Sequence, residues 1–300
     1  MVSQYIYTNV IGSFIFDEEG SLIESSDSEE KLLKKYNDAK KPELQQLKNS
    51  LCYFKDKKYY TAFYEKNLEI AKQKIKESVK NDILVIQAIN VISDLTKVIN
   101  ILATSLREWY ELYNPEFSRA VPDTEGFVRE ILTNNKKELL IQISVPLSMG
   151  ADLSSEDVQA IMELAKEIKS LFSQKKKQEE YLEVLMKKLC PNMMAITGAV
   201  LGAKLLEHTG SLEHLSELPS STIQLLGAEK ALFRHMTTGA RCPKYGILFQ
   251  HPFVSQAKKQ NQGKVARMLA DKISIAVKID FFKGTFIGDA LKKQLAEKLP

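Results

Sequence analysis

Residue types that commonly carry catalysis or bind metals are few and scattered in this 300-residue chain. No two histidines have the H-x-x-x-H spacing that places two ligands on one helix face, and no C-x-x-C pair is present. The phosphate-cradling G-x-x-x-x-G-K-[ST] loop and the G-x-S-x-G nucleophile turn are also missing. We therefore predict no catalytic residue, no metal site and no cofactor. The side chains considered for such chemistry are His208, His214, His235, His251, Cys52, Cys190 and Cys242.

The sequence also indicates where such a protein works. Three cysteines without paired spacing do not make a disulfide framework and are expected to be reduced thiols of a cytoplasmic protein. The most apolar long stretch, residues 83–106, carries Gln87, Asp94 and Lys97 and is amphipathic, so no membrane helix is predicted. The N-terminal residues lack the basic and apolar segments of a secretory signal.

Charge is distributed unevenly along the chain, although the net charge is only +4. Residues 191–300 hold 15 Lys and Arg against 8 Asp and Glu, whereas residues 1–190 hold 27 against 30. A basic region of this kind suggests an anionic partner. Within it, residues 229–283 hold 11 basic and 3 acidic side chains together with several aromatic ones, which suits RNA phosphates and unstacked bases. A solvated basic face is the alternative interpretation.

The elements that must position this region are mostly helical. Residues 5–7, 10–11, 14–16 and 22–23 alternate as short strands around a turn at 17–20, and 29–36 predicts a short helix. A single long helix is then predicted from about Thr61 to Leu112, because neither Gly nor Pro interrupts it. Its apolar seam has steps of three and four residues and comprises Val85, Ala88, Ile92, Leu95, Ile99, Leu102, Leu106 and Trp109.

A second long helix is predicted from an N-cap at Ser154 to a stop at Pro191, with Lys175 and Gln178 interrupting its seam. Residues 114–152 are interpreted as an irregular connection with one short helix near 124–132. Two such helices are expected to pack antiparallel, as a hairpin alone or with surplus apolar surface for a second copy. The residues predicted to support dimerisation are Val85, Ile92, Leu95, Ile99, Leu102, Ile161, Ile168, Lys175, Gln178 and Leu182.

Further along, residues 197–203 form a small-residue helical segment, and Ser220, Ser221 and Thr222 suggest a hydroxyl-capped helix start. The string at 220–233 and the string at 243–249 together resemble the signature of the Nop domain. Shorter matches at 106–110, 209–212 and 263–267 agree with it. On these motifs the chain is identified as a member of the Nop-domain family, and within it resembles the archaeal scaffold of box C/D small ribonucleoproteins.

The resemblance implies a scaffold and no enzyme. In that family a coiled coil mediates homodimerisation, and the Nop domain binds guide RNA together with a ribosomal-protein-like kink-turn binder. The N-terminal domain holds fibrillarin, the 2′-O-methyltransferase. The residues expected at the RNA and kink-turn-protein interface are Gln224, Gly227, Ala228, Glu229, Lys230, Phe233, Arg234, Lys244, Gln250, His251, Lys264 and Arg267. Among them, Lys and Arg would contact phosphates and Phe233 would stack on a base, or else be a core aromatic.

The predicted fold is mainly α, with a small N-terminal α/β unit, a long antiparallel coiled-coil arm and a C-terminal all-helical Nop domain. The expected domains are 1–58, which would bind fibrillarin, 59–190, which would dimerise, and 191–300, which would bind RNA. The first is about half the family's usual length, so a reduced fibrillarin surface is expected. The short chain without a lysine-rich tail fits the archaeal type better than the spliceosomal Nop-domain type. A coiled-coil assembly protein with no RNA role is the alternative from another class.

Overall fold

The structure is a computed structural model that describes residues 4–36 and 39–297. These residues form two compact units, with the boundary between Val79 and Lys80. The N-terminal unit contains a three-stranded antiparallel sheet in the order β1-β2-β3. Its strands are β1 (Tyr5–Thr8), β2 (Ser13–Phe16) and β3 (Leu22–Ser26), and its helices are α1 (Glu29–Lys35), α2 (Leu44–Tyr53) and α3 (Lys57–Ser78). The predicted small α/β unit is confirmed.

The central strand β2 supplies side chains to both faces of this sheet, because successive side chains of a strand point in opposite directions. Phe14 and Phe16 lie on one face, where both rings meet Phe54 edge-on at centroid distances of 4.8 and 6.1 Å. Ile15 lies on the other face in a cluster with Ile6 and Leu32 of α1. The sheet is therefore packed between α1 on one side and the end of α2 on the other.

The single helix predicted over 61–112 is wrong, because the helix breaks. Helix α3 ends at Ser78 and α4 (Asn81–Tyr113) begins three residues later. The physical reason lies in Asn81 and Asp82, since short polar side chains compete for local backbone donors and favour helix starts over helix interiors. The Asp82 carboxylate accepts a hydrogen bond from the N–H of Ile83 at 3.0 Å.

In the second unit, α4 packs against α8 (Ser155–Leu189). The first half of α4 shares a core with the end of α8, and the second half of α4 shares another with the beginning of α8. The pair is therefore the predicted antiparallel hairpin. Helix α8 starts where predicted, since Ser154 Oγ accepts a hydrogen bond from the N–H of Asp157 at 3.2 Å. The predicted stop, Pro191, follows the end of α8 at Leu189.

Over part of α4, the buried residues lie one position along the sequence from the predicted seam residues. Ile89, Ala103 and Tyr110 are buried, whereas Leu95 and Leu102 are half-buried and Trp109 is exposed. The burial of Trp109 predicted by the seam is therefore wrong. The reason is that α4 is covered by more than one helix, since α10 packs against its first half and the helices of the 114–152 connection pack near its end.

The connection between the long helices is helical, so the predicted irregular segment with one short helix is wrong. It contains α5 (Pro115–Ala120), α6 (Thr124–Thr133) and α7 (Lys136–Gln142). Local caps start the last two helices: Asp123 accepts a hydrogen bond from the N–H of Gly126 at 2.7 Å, and Asn135 forms a capping box with Glu138. Phe127 of α6 is fully buried against Tyr110.

Nine short and long helical segments complete the described part of the second unit. They are α9 (Pro191–Thr197), α10 (Ala199–Thr209), α11 (Leu212–Glu217), α12 (Ser220–Leu225), α13 (Glu229–Thr238), a 3-10 turn (Ile247–Gln250), α14 (Pro252–Ser255), α15 (Gln262–Phe281) and α16 (Gly288–Glu297). The small-residue segment at 197–203 is split by Gly198, whose φ is +76°. The predicted hydroxyl cap at 220–222 is also wrong, because Pro219 occupies the N-cap position and those three residues are already helical.

Helix α15 is the central element of this region, and its buried Asp280 ties three segments together. The Asp280 carboxylate accepts hydrogen bonds from the N–H of Asn192 at 3.1 Å, from its side-chain amide at 2.8 Å and from the N–H of Met193 at 2.9 Å. The Asn192 side-chain oxygen in turn accepts a hydrogen bond from the N–H of Ile287 at 2.6 Å. These bonds satisfy the first amides of α9 and anchor the approach to α16.

Candidate nucleic-acid interface

A loop at residues 239–246 is fastened to the end of α12 by three hydrogen bonds. The N–H of Gly246 donates to the Gln224 carbonyl at 3.0 Å, and the N–H of Ile247 donates to the Leu226 carbonyl at 2.8 Å. The Gln224 side-chain amide donates to the Lys244 carbonyl at 2.6 Å. Gly246 is required here, since a Cβ would overlap the Leu226 carbonyl. The loop carrying Lys244 is therefore held in place by two backbone hydrogen bonds and by the Gln224 side chain.

The turn between α12 and α13 contains the predicted residues Gly227 and Glu229. Gly227 has φ +82° and packs on Ile247, so a side chain would be strained there for two reasons. Its N–H donates to Glu229 Oε1 at 2.6 Å. Partial burial raises the pKa of Glu229, but hydrogen bonds from the N–H groups of Gly227 and of Glu229 itself outweigh it, so the pKa is lowered. The carboxylate is thus ionised and fixed at the start of α13.

Helix α13 has no buried residue, although two of its side chains are large and apolar. Phe233 is 68% exposed and Met236 is 75% exposed. The alternative that Phe233 is a core aromatic is therefore wrong. Lys230 and Arg234 are exposed on the same helix. An exposed aromatic ring among cations has the composition used to hold single-stranded nucleic acid.

The structure brings Lys244 close to the beginning of α15. Gly263 lies against the Lys244 side chain, since a Cβ on it would be 3.4 Å from Lys244 Cβ. Tyr245 stacks on Phe249 with a ring-centroid distance of 5.0 Å, and its hydroxyl donates to Gln262 at 2.8 Å. The exposed cations of α15, Lys264 and Arg267, follow directly. This surface is therefore assembled from the loop and the first turns of α15.

His251 is a correction to the predicted interface. It is only 7% exposed, its Nε2 donates to the Ile196 carbonyl at 3.1 Å, and its Nδ1 accepts from the N–H of Phe253 at 3.2 Å. Both ring nitrogens are occupied within the chain, so the prediction of a contact with RNA is wrong. Its neighbour Gln250 is exposed, and its side-chain oxygen accepts a hydrogen bond from Lys204 at 2.8 Å.

Replacing His251 by asparagine is expected to change how stability depends on pH. Burial lowers the pKa of His251 below its usual 6.5, and the hydrogen bond to Ile196 only partly opposes this. Above pH 6.5 the neutral ring stabilises the fold fully, and as the pH falls below 6.5 the unfolded chain takes up a proton that the folded one resists. The stability difference between the wild type and His251→Asn should therefore shrink on acidification in thermal melts.

The control for this experiment is His214→Asn, because the His214 side chain is largely exposed. Its melting temperature should follow the wild type across the same pH range. A constant offset of His251→Asn at every pH would contradict the burial argument.

The residues predicted to dimerise are mostly used within the chain. Six of them are buried in the cores around α4 and α8, namely Val85, Ile92, Ile99, Ile161, Ile168 and Leu182. Leu95, Leu102, Lys175 and Gln178 are half-buried. Large apolar side chains of α4 that stay exposed include Leu84, Val91, Val98 and Ile101.

Two contributors were missed by sequence reasoning because they lie far from the motif in the chain. Lys204 of α10 reaches Gln250, and His208 Nδ1 lies 3.9 Å from Glu229 Oε1. No local spacing connects residues separated by 21 or more positions. The available signal was Lys204, a basic residue in the middle of a largely apolar α10.

Of the three cysteines, Cys190 is buried and burial raises the pKa of its thiol, whereas Cys52 and Cys242 are exposed and unpaired. Over residues 4–36 and 39–297, no helix has the length and apolar content needed to cross a bilayer. The same residues contain no group of three or more acidic, His or Cys side chains arranged to hold a metal ion.

The second unit therefore combines an α-helical hairpin with a helical region that carries exposed cations on α13, on the 239–246 loop and on α15. Comparison with known families then identifies the family: residues 91–300 match the Nop model, described as "snoRNA binding domain, fibrillarin". The chain belongs to the Nop family, as its motifs indicated.

Two curated relatives agree with this assignment. A NOP5 family protein of Methanocaldococcus jannaschii is 37% identical over 268 residues, covering 84% of this chain and 62% of the relative. Nucleolar protein 56 of Caenorhabditis elegans is 36% identical, covering 73% of this chain and 50% of the relative. A chain in a crystal structure of a fibrillarin/Nop5p complex is 27% identical with a TM-score of 0.49, covering 98% of this chain and 100% of that chain. The chain thus spans about half to three-fifths of the length of these curated relatives.

Proposed function

We propose that this chain is a non-catalytic scaffold of a box C/D-type ribonucleoprotein that guides 2′-O-methylation of RNA. Its C-terminal helices would hold guide RNA, and its N-terminal unit would hold a fibrillarin-type methyltransferase, which supplies the chemistry. The observation that carries the proposal is the surface of α13, a helix with no buried residue, inside a region that matches the snoRNA-binding family. A cytoplasmic location is proposed with it.

The proposed RNA surface offers two kinds of contact, namely cations for phosphates and an aromatic ring for a base. Lys230, Arg234, Lys244, Lys264 and Arg267 are exposed and suit phosphates, whose contacts set register and affinity. Phe233 can stack on an unpaired base. Gln224 is half-buried and Gln250 is exposed. Both side chains already form a hydrogen bond within the chain, so they support the surface and offer their remaining hydrogen-bonding capacity.

A kink-turn RNA-binding protein is proposed to meet the same surface at the turn of residues 227–230. Gly227 keeps the backbone of this turn free of a side chain, and Ala228 adds only a methyl group. Glu229 places a fixed negative charge beside the basic side chains. Such an alternation of charge suits a surface shared by a nucleic acid and a protein.

The proposed fibrillarin contact lies on the N-terminal unit. No residue of α3 is buried, and Tyr60, Tyr64, Leu68 and Ile75 are exposed at spacings that place them along one side of the helix. An apolar stripe with two tyrosines is typical of a protein-binding surface. Fibrillarin is proposed as the partner because the chain resembles box C/D scaffolds, whose N-terminal domain holds fibrillarin.

Self-association is proposed through the exposed line on α4. Leu84, Val91 and Val98 repeat every seven residues, as a coiled-coil seam requires, and Ile101 lies beside them. This line is distinct from the buried seam that joins α4 to α8. It replaces the buried residues as the proposed dimer contact.

The double substitution Lys264→Ala and Arg267→Ala tests RNA binding. Both side chains are exposed, so the fold should persist while two phosphate contacts are lost. We expect affinity for a guide RNA carrying the kink-turn binder to fall by about tenfold. The slope of log affinity against log salt should fall by about 1.8 if both phosphates are in duplex RNA. A gel-shift titration at two salt concentrations measures both.

The matched control is Lys292→Ala with Lys293→Ala, two exposed cations of α16. Equal loss in both variants would indicate unspecific attraction to a basic surface. No binding by the wild type, with or without the kink-turn binder, would contradict the proposed function and favour an assembly protein without an RNA role.

A further inference from the structure

An open groove lies between α6 and the middle of α8, well away from the C-terminal surface. Its volume is about 580 Å³. Arg129 of α6 lines one side, and Lys169, Lys175 and Lys176 of α8 line the other. Glu125 and Glu179 also border it, so cations outnumber carboxylates by four to two. Neither the family motif nor the hairpin requires such a concentration of positive charge here.

The groove has the geometry of a nucleotide-binding surface. Lys169, Phe172 and Lys176 follow one another at steps of three and four residues and so share one face of α8. Phe172 is half-buried and lies in the groove between the two exposed lysines. A strand of single-stranded RNA needs cations for its phosphates and an aromatic ring for a base, and this face offers both.

The nearby carboxylates pair with only some of the groove's cations. Glu179 lies 3.9 Å from Lys175, and Arg129 lies 3.8 Å from Glu130. Lys169 and Lys176 make no ion pair with any residue of the described ranges. Two unneutralised cations on either side of Phe172 therefore face the opening.

A second hollow connects the groove with the C-terminal region. It has a volume of about 390 Å³, lies between α4, α8 and α10, and shares Lys175 and Glu179 with the groove. At its far rim is Lys204, whose ammonium donates to Gln250. Cations thus follow one another from Lys204 through Lys175 to Lys169, and the α8 residues from Lys169 to Glu179 span about 15 Å by helical rise.

We propose that the groove between α6 and α8 binds a single-stranded segment of RNA, with phosphates at Lys169 and Lys176 and a base against Phe172. The inference rests on the proposed function, because it extends the same RNA from the C-terminal surface onto the hairpin. Lys175 interrupts the apolar seam of α8. It then has a second role, because it lines both hollows and links them.

The test is the full-length double variant Lys169→Glu with Lys176→Glu, titrated with a fluorescein-labelled oligouridylate of about 30 nucleotides, long enough to cover more than one binding surface. The expected result is a loss of affinity of about tenfold or more, and a salt slope that falls by about 1.4 for two single-strand phosphates. The control Lys177→Glu with Lys188→Glu makes the same charge change on exposed side chains of the same helix outside the groove, and should bind like the wild type. Circular dichroism verifies that both variants remain helical.

Ultraviolet cross-linking locates the contact independently. The peptide that contains Phe172 should carry uridine in the wild type and lose it in Lys169→Glu with Lys176→Glu. Wild-type binding that the groove variant retains, with cross-links confined to residues 191–300, would overturn the inference and leave the proposed function intact. Competition by polyglutamate as effective as by unlabelled oligouridylate would also overturn it, in favour of an acidic protein partner. Failure of the wild type to bind RNA would overturn both.

Discussion

Replacing Ile168 by aspartate is expected to unfold the helical hairpin. Ile168 is fully buried in the core that α8 shares with α4 and α6, where Ile99, Leu106 and Val128 belong to the same cluster. An unpaired carboxylate there loses its hydration without gaining a partner and also removes apolar contacts. Together these effects should cost more than about 4 kcal/mol, which is a large part of the stability of an ordinary domain.

The measurement is urea unfolding followed by circular dichroism, with Val98→Asp as the matched control. Val98 is apolar and lies on the same hairpin, but it is 43% exposed on α4. Its substitution should change the free energy of unfolding by less than about 1 kcal/mol per monomer. It should instead weaken self-association, which sedimentation or light scattering detects.

Opposite results would change the interpretation of the hairpin. A monomer fold that survives Ile168→Asp would mean that the buried seam is not needed within one chain and is free to bind a second copy. Unchanged association in Val98→Asp would remove the exposed line from the proposed dimer contact.

Replacing Gly246 by alanine is expected to have the second largest effect. The new Cβ would overlap the Leu226 carbonyl, which accepts the hydrogen bond from Ile247. The loop must move to relieve the overlap, and it then loses its bonds to Gln224 and Leu226. We expect a loss of about 2–4 kcal/mol in stability, confined mainly to the loop and the end of α12.

The functional consequence follows because this loop carries Lys244 beside Lys264. Binding to a guide RNA complex should fall by more than about tenfold, equivalent to at least about 1.4 kcal/mol. The control is Gly239→Ala, since Gly239 is the first residue of the same loop but a Cβ there would meet open space. Its φ of +68° should cost about 1–2 kcal/mol locally and leave RNA binding within about twofold. Native-state hydrogen exchange at Ile247, together with a gel shift, distinguishes the two variants.

The long helices show which structural features a local sequence pattern can predict. Pro115 predicted where α4 stops, and Ser154 and Pro191 predicted where α8 starts and stops, because capping and helix-breaking depend on neighbouring residues only. The same reasoning did not find the break at Val79 and Lys80. It also placed Trp109 in the buried seam, whereas the neighbouring Tyr110 is the buried residue, since the covering helices α5 to α7 lie beyond the end of α4 in the sequence.

The candidate interface also combines features that the sequence predicts with features that tertiary packing decides. The motif at 220–233 and 243–249 was sufficient to identify the family, and the structure exposes most of the residues it highlighted. His251 was assigned wrongly, because whether a histidine faces solvent depends on what packs over it, here the carbonyl of Ile196 some 55 positions earlier.

By itself the sequence determined the family, the helical hairpin, the small N-terminal sheet and the basic character of the C-terminal region. These properties follow from residue types at short, regular spacing and from charge, which need no knowledge of distant neighbours. Only the tertiary structure decided which seam residues are buried, how the loop of Lys244 is fastened, and that Arg129 and Lys169 face each other across a groove. Such arrangements arise from contacts between residues tens of positions apart, and packing, not local preference, selects them.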